Sequence, residues 1–274
     1  MRKLFITDLD GTLLNDQRRV SEYSNNVLTQ FNNVGIATGR NIFSVYKIIK
    51  EVEVNSHIIL CNGACVYNKD LDSFEAVIPL KRKTYPVLKE IIQNSKTKPI
   101  VIGFTDNGPY FEYQHNHNIQ YDKFLNYAKA YPSALASKVN QYSFNQTIVE
   151  IIFYEKKEEI LRIKDEIEAK LPNHYMFECR HSIMVDDESY WFLAVFDKSV
   201  GKGNAIIDMA KRYDVDLSNV YVFGDGLNDI DMFELPVNKI AVKNAVSEIL
   251  ELAEVIIDEN TQDSVVNYII EKNR

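Results

Sequence analysis

Apolar residues along this chain fall into two kinds of run. Over the first eighty residues, short unbroken runs alternate with stretches whose apolar positions recur three and four apart. The run KLFITD reads as a buried strand, and SEYSNNVLTQFN as a helix with Ser21 at its N-cap. VGIAT follows as a short strand and NIFSVYKIIKEV as a second helix; SHIILCNGACVYN then reads as a strand, a turn at Asn62-Gly63 and a returning strand. Such alternation predicts a parallel sheet with covering helices.

From about Lys81 the pattern changes. YPVLKEIIQNS predicts a helix, with Pro86 tolerated in its first turn, and PIVIGFTDNGPYFEYQH a hairpin about Asp106-Asn107-Gly108. NQTIVEIIFYE reads as a strand, KKEEILRIKDEIEAKL as a helix with a charged outer face, and HYMFECRHSIMVDD and SYWFLAVFD as two more strands. Neighbouring strands without crossover helices predict an antiparallel sheet with helices on one side. After Asp197 the alternation returns: GKGNAIIDMAKRYDV, NDIDMFEL and AVSEILELA are expected helices, NVYVFGD and NKIAVK expected strands. The pattern therefore predicts a parallel α/β domain over residues 1–80 and 198–274, interrupted by an inserted α+β domain over residues 81–197.

Composition narrows the function classes. With 274 residues, 46% hydrophobic and 26% charged, the chain is of soluble globular type. A net charge of −8 without any basic block argues against nucleic acid or an anionic membrane as a main partner. No apolar run approaches membrane-spanning length, and residues 1–14 lack a signal peptide's apolar core. Cys61, Cys65 and Cys179 have no partners at zinc-site spacing and read as small core residues. A reduced, cytoplasmic protein is expected; the sequence is silent on oligomeric state.

The candidate chemistry lies where the strands stop. Carboxylates are poor strand formers, yet the first run ends on Asp8 and Asp10, followed by Gly11 and Thr12. Others end at Thr38-Gly39-Arg40 and at Gly224-Asp225-Gly226. In open parallel sheets ligands sit beyond the carboxyl ends of the strands, so these residues are expected to meet at one edge. Asp8, Asp10 and Asp225 offer hard oxygen ligands suited to Mg²⁺, and gathering carboxylates without a cation would raise their pKa values. Plainer readings stand beside these. A strand-end Asp commonly forms a turn, Thr38 could cap a helix, and Arg40 could face a substrate phosphate or pair with an acid. Lys202 lies in GKG but not in a P-loop, since position 203 is Gly and position 196 is Phe; Lys198 is its rival. His115 and His117, Asp186-Asp187-Glu188 and Lys156-Lys157-Glu158-Glu159 read as solvated surface.

In order along the chain, DLDGTLL, TGR, the lysine of GKGNAI and GDGLND resemble the motifs of the haloacid dehalogenase-like (HAD) hydrolase superfamily. The large insertion between the second and third motifs is that of its type IIB, or Cof-like, phosphatases. CNGA at 61–64, DIDMFE and KNAVSEILELAEVIIDEN are smaller echoes. The resemblance implies a Rossmann-like parallel core with an inserted α+β cap, and a Mg²⁺-dependent phosphatase acting on a small phosphorylated metabolite such as a sugar phosphate. It implies Asp8 as nucleophile and Asp10 as general acid and base. Mg²⁺ would be held by the Asp8 side chain, the Asp10 carbonyl and Asp225. The phosphoryl oxygens would be held by Leu9 N–H, Thr38, Gly39 N–H, Asn228 and Lys202. Thr12, Asp229 and Arg40 would act around these groups, Asp229 by orienting the metal's waters or Lys202. The aromatic hairpin 100–117 and the segment 174–191 are candidate walls above the phosphate. A phosphomutase sharing the intermediate, a DxD glycosyltransferase and a phosphate-ester sensor with little turnover are the competing readings. Two departures stand out: Asn32, Asn33 and Gly35 where an unbroken apolar strand is expected, and Ser264 where relatives often carry Gly.

Overall fold

The computed structural model describes residues 2–54, 57–114, 119–132, 135–185 and 188–273. His115, His117 and the Asp186-Asp187 pair lie outside the described residues. In chain order the first elements are β1 (Leu4–Thr7), α1 (Glu22–Leu28), β2 (Val34–Ala37), α2 (Ile42–Glu51), β3 (His57–Leu60), β4 (Cys65–Asn68) and β5 (Ser73–Val77). The middle of the chain forms α3 (Tyr85–Asn94), β6 (Ile100–Thr105), β7 (Gly108–Tyr113), α4 (Ile119–Ala128), β8 (Leu135–Lys138), β9 (Thr147–Glu155), α5 (Lys157–Lys170), β10 (Tyr175–Val185) and β11 (Glu188–Asp197). The last part forms α6 (Lys202–Arg212), β12 (Val220–Gly224), α7 (Ile230–Phe233), β13 (Asn238–Val242), α8 (Ser247–Leu252), β14 (Val255–Ile257) and α9 (Ser264–Asn273).

These elements divide into two compact units. The first holds residues 1–41, 45–76 and 201–274; the second holds 77–200 together with 42–44.

The first unit is built on an eight-stranded sheet in the order β14-β13-β12-β1-β2-β3-β4-β5. From β14 to β3 the neighbours run parallel, and β4 returns antiparallel to β3. All four residues of β1 are buried, as expected of a strand covered on both faces. Ser21 caps α1 through its side chain, which accepts from the Ser24 N–H at 2.9 Å. α6 turns Ala205, Ile206, Met209 and Ala210 into a core shared with Ile6, Val222 and Phe233. β2 forms despite its polar approach: all four residues are buried, and the Asn33 side chain donates to the Lys3 carbonyl at 3.0 Å. Ser264 stands buried at the start of α9, after Asp263, which takes the left-handed turn itself at φ 54°.

The second unit carries a six-stranded sheet, β10-β11-β9-β6-β7-β8. Helices α3 and α5 bury Leu88, Ile91, Ile92, Ile160, Ile163 and Ile167 against Val101, Ile151, Phe153, Leu193 and Val195. One pairing departs from the predicted antiparallel order: β7 and β8 run parallel, with Tyr110 opposite Leu135. The intervening α4, absent from the sequence reading, provides the crossover that a parallel pair requires.

Candidate active site

Register brings the strand ends together. Thr7, the last residue of β1, lies between Phe223 of β12 and Ile36 of β2, and Ala37 is paired with Ile59 of β3. The loops that begin at Asp8, Thr38, Cys61 and Asp225 therefore leave the sheet on one edge and at one level. The backbone binds them further. Asp8 N–H donates to the Phe223 carbonyl at 2.9 Å, Asn62 N–H to the Thr38 carbonyl at 3.0 Å, and Cys61 N–H to the Arg40 carbonyl at 3.0 Å.

At the centre is Lys202, the first residue of α6, fully buried. Its Nζ donates to Asp8 Oδ1 at 2.6 Å and to Asp229 Oδ1 at 2.5 Å. The other Asp229 oxygen accepts the N–H groups of Asp225 and Gly226 at 2.9 and 3.0 Å, so this carboxylate ties lysine and β12 loop together. Asp225 in turn accepts the Thr12 hydroxyl at 2.6 Å. Gly11 has to be glycine here: its φ is +81°, and a Cβ would lie 2.3 Å from Asp225 Oδ2. Oxygens of Asp8, Asp225 and Asp229 all lie within 4.8 Å of one another.

The electrostatics of the cluster follow from burial. Burial drives the Asp8 pKa up; Lys202 pulls it back, while Asp229, Asp225 and Asp10 push with burial. Burial likewise lifts Asp225 to about 6, against the hydrogen bond from Thr12. For Lys202 burial opposes the charge, but Asp229 and Asp8 outweigh it and hold the ammonium above its ordinary range. Fully ionised, the three clustered carboxylates and the one ammonium paired with them among the described residues would together carry two net negative charges. All-oxygen donors with that charge fit a hard divalent cation.

Asp10, two residues from Asp8, stands in different surroundings. Its carboxylate is about half exposed, at 48%, and makes a two-pronged pair with Arg40, Nε to Oδ2 at 2.6 Å and Nη2 to Oδ1 at 2.5 Å. Arg40, left open between substrate and acid by the sequence, thus pairs with an acid that is itself a candidate. Of the expected metal set, Asp8 and Asp225 stand in the cluster, and the Asp10 side chain is not among the clustered carboxylates. Thr38 is buried, its Oγ1 accepting the Arg40 N–H at 3.2 Å; Leu9 and Gly39 stand in the loops just after β1 and β2. Asn228 Nδ2 donates to Asn62 Oδ1 at 3.1 Å. Lys198, the rival lysine, lies in the second unit and reaches Asn173 at 3.1 Å on the surface. Cys61 and Cys65 are buried thiols, as expected.

Sequence reasoning passed over Asn62 and Asp231. Asn62 follows Cys61 in left-handed backbone, at φ 53° and 52°, before Gly63 at 102°. Its Asn-Gly pair marks a turn, but the contact with Asn228 is legible only in three dimensions. Asp231, half-buried, accepts the Gly203 N–H at 2.8 Å, and burial raises its pKa.

Residues 5–269 match the haloacid dehalogenase-like hydrolase family. The chain belongs to this family. Among similar proteins, the pyridoxal phosphate phosphatase YbhA of Escherichia coli is 24% identical, over 97% of each chain. A haloacid dehalogenase-like hydrolase of Bacteroides thetaiotaomicron superposes with a TM-score of 0.80 at 18% identity, covering 99% of this chain and 100% of the other. The HAD subclass IIB sugar phosphatase BT4131 superposes at 0.69 and 16% identity, over 99% of each chain. The type IIB architecture inferred from the motifs is that of the structure. Among the described residues of this family member, no helix is long and apolar enough to cross a membrane.

Proposed function

We propose that this hydrolase is a Mg²⁺-dependent phosphatase that cleaves small phosphomonoesters through an aspartyl-phosphate on Asp8. The observation that carries the reading is the cluster of three carboxylates, Asp8, Asp225 and Asp229, at the strand ends around one buried ammonium, Lys202. Asp8, Asp225 and the Asp10 carbonyl would hold Mg²⁺, which when bound relieves repulsion between a carboxylate and a phosphate dianion.

The rest falls to the chain's own residues. Asp8 attacks phosphorus in line and forms the acyl phosphate as the ester P–O bond breaks. Lys202, kept charged by Asp229, screens the approach of the dianion. The Thr38 hydroxyl, the N–H groups of Leu9 and Gly39 and the Asn228 amide hold the phosphoryl oxygens. Asp10, once free of Arg40 and protonated from solvent, gives that proton to the leaving oxygen. It then takes a proton from the water that attacks phosphorus, releasing phosphate and regenerating Asp8. Substrate choice is assigned to the inserted α+β unit. A pyridoxal phosphate phosphatase and a sugar phosphatase among the similar proteins support small phosphorylated metabolites as the substrate class.

A panel of phosphometabolites, assayed for free phosphate with Mg²⁺ and with EDTA, tests the proposal. Release that needs the metal and vanishes in Asp8→Asn is the expected result. Turnover retained by a folded Asp8→Asn variant refutes the covalent route, and isomerised product without free phosphate would make the protein a mutase.

A further inference from the structure

Helix α6 begins without a cap of its own. The first N–H groups of any helix lack intrahelical partners, and a Ser, Thr, Asp or Asn at the N-cap ordinarily serves one of them. Here the N-cap is Gly201, which has no side chain to offer. The missing acceptor comes from elsewhere in the chain: Asp231, on α7, accepts the Gly203 N–H through Oδ2 at 2.8 Å.

Both glycines flanking Lys202 make room for this residue. A Cβ on Gly201 would lie 2.5 Å from Asp231 Oδ2, and a Cβ on Gly203 would lie 2.7 Å from the Asp231 carbonyl oxygen. On the other side of the turn, a Cβ on Gly63 would lie 2.3 Å from the Gly201 carbonyl oxygen. The Gly-Lys-Gly sequence is thereby accounted for without any phosphate loop. It is the form that lets three backbone segments close around the root of one lysine.

We propose that Asp231 is a positioning residue: it caps α6 from outside and fixes the backbone of Lys202, so that the ammonium reaches Asp8 and Asp229 together. The short segment from Asp229 to Asp231 then holds the lysine twice, by its Nζ through Asp229 and by its main chain through Asp231. Asp231 touches no reacting atom in this scheme. The inference rests on the phosphatase reading only in taking the placement of Lys202 to matter for turnover.

The test compares Asp231→Ala, which removes the acceptor, with Asp231→Asn, which keeps an oxygen for the Gly203 N–H. Misplacing a catalytic group by about 1 Å costs on the order of a hundredfold in rate. With a phosphomonoester such as p-nitrophenyl phosphate, Asp231→Ala is expected to lower kcat by about tenfold to a hundredfold with KM nearly unchanged, and Asp231→Asn to restore most of it. A second readout needs no activity. Urea unfolding of wild type, Asp231→Ala, Lys202→Met and the double variant should give losses that are non-additive by about fivefold or more in the unfolding constant. The proposal is overturned if Asp231→Ala keeps wild-type kcat, if Asn rescues no better than Ala, or if the unfolding losses simply multiply. A wild type that releases no phosphate overturns the phosphatase reading instead, and the unfolding cycle still decides the role of Asp231.

Discussion

The ammonium of Lys202 lies 2.5 Å from the carboxylate of Asp229, and neither side chain reaches solvent. Breaking such a pair from one side leaves an uncompensated buried charge, at a cost of about 3–5 kcal/mol. Lys202→Met is therefore expected to lose about that much in metal-free urea unfolding, and at least about a thousandfold in turnover. A loss of stability below about 1 kcal/mol would contradict the burial of the pair.

Asp225 gives the metal-free protein a pH dependence of definite sign. Its pKa rises from 3.8 to about 6 on folding, chiefly through burial. A raised pKa stabilises fully below the unfolded value and ceases to do so as pH climbs through the folded one. Between about pH 4 and pH 7 this group therefore withdraws up to about 3 kcal/mol. Urea midpoints in EDTA should fall across that range in wild type and fall less in Asp225→Asn. Saturating Mg²⁺ should flatten the wild-type curve.

Thr12 acts on the same carboxylate through its hydroxyl. Thr12→Val removes the 2.6 Å hydrogen bond and leaves the volume nearly unchanged. Loss of a partner that orients a metal ligand weakens metal affinity by roughly tenfold to a hundredfold. Mg²⁺ titrations of phosphate release should shift by that factor, while turnover at saturating metal falls much less.

In the second unit, Gly103 marks the irregular register between β6 and β9. A Cβ there would lie 2.0 Å from the Thr147 carbonyl oxygen, a backbone atom that cannot step aside. Gly103→Ala should destabilise by about 1–3 kcal/mol by overpacking. Gly108→Ala, with φ +112° but open space around the methyl, should cost only backbone strain, of the order of 1 kcal/mol. Thermal unfolding of the two variants checks the order.

The sequence disclosed the parts of the fold that burial imposes. Fully buried β1 and the helices with one apolar face could be read directly, and so could the loops at Asp8, Thr38 and Asp225, because an apolar run that stops on a carboxylate or hydroxyl is conspicuous. What escaped notice lacked such a signature. β5 is an edge strand with no fully buried residue and β8 a wholly exposed one, so no alternation of apolar and polar positions gives them away. β14 presents Val255 and Ile256 outward, against the usual rule. α4 mixes Tyr, Asp, Lys and Asn along one short helix and blurs its periodicity. Asn62 and Asp231 act through partners 166 and 28 residues away, a relation that spacing along a chain does not encode.

Asp8 and Asp10 are separated by a single residue, yet the turn after β1 gives them different solvents. The first faces an ammonium in a dry enclosure; the second meets a guanidinium within reach of bulk water. Dissolved ions screen the outer pair and scarcely touch the inner one. Added salt thus becomes a selective instrument: it loosens the residue assigned to proton transfer and leaves the one assigned to attack where it is.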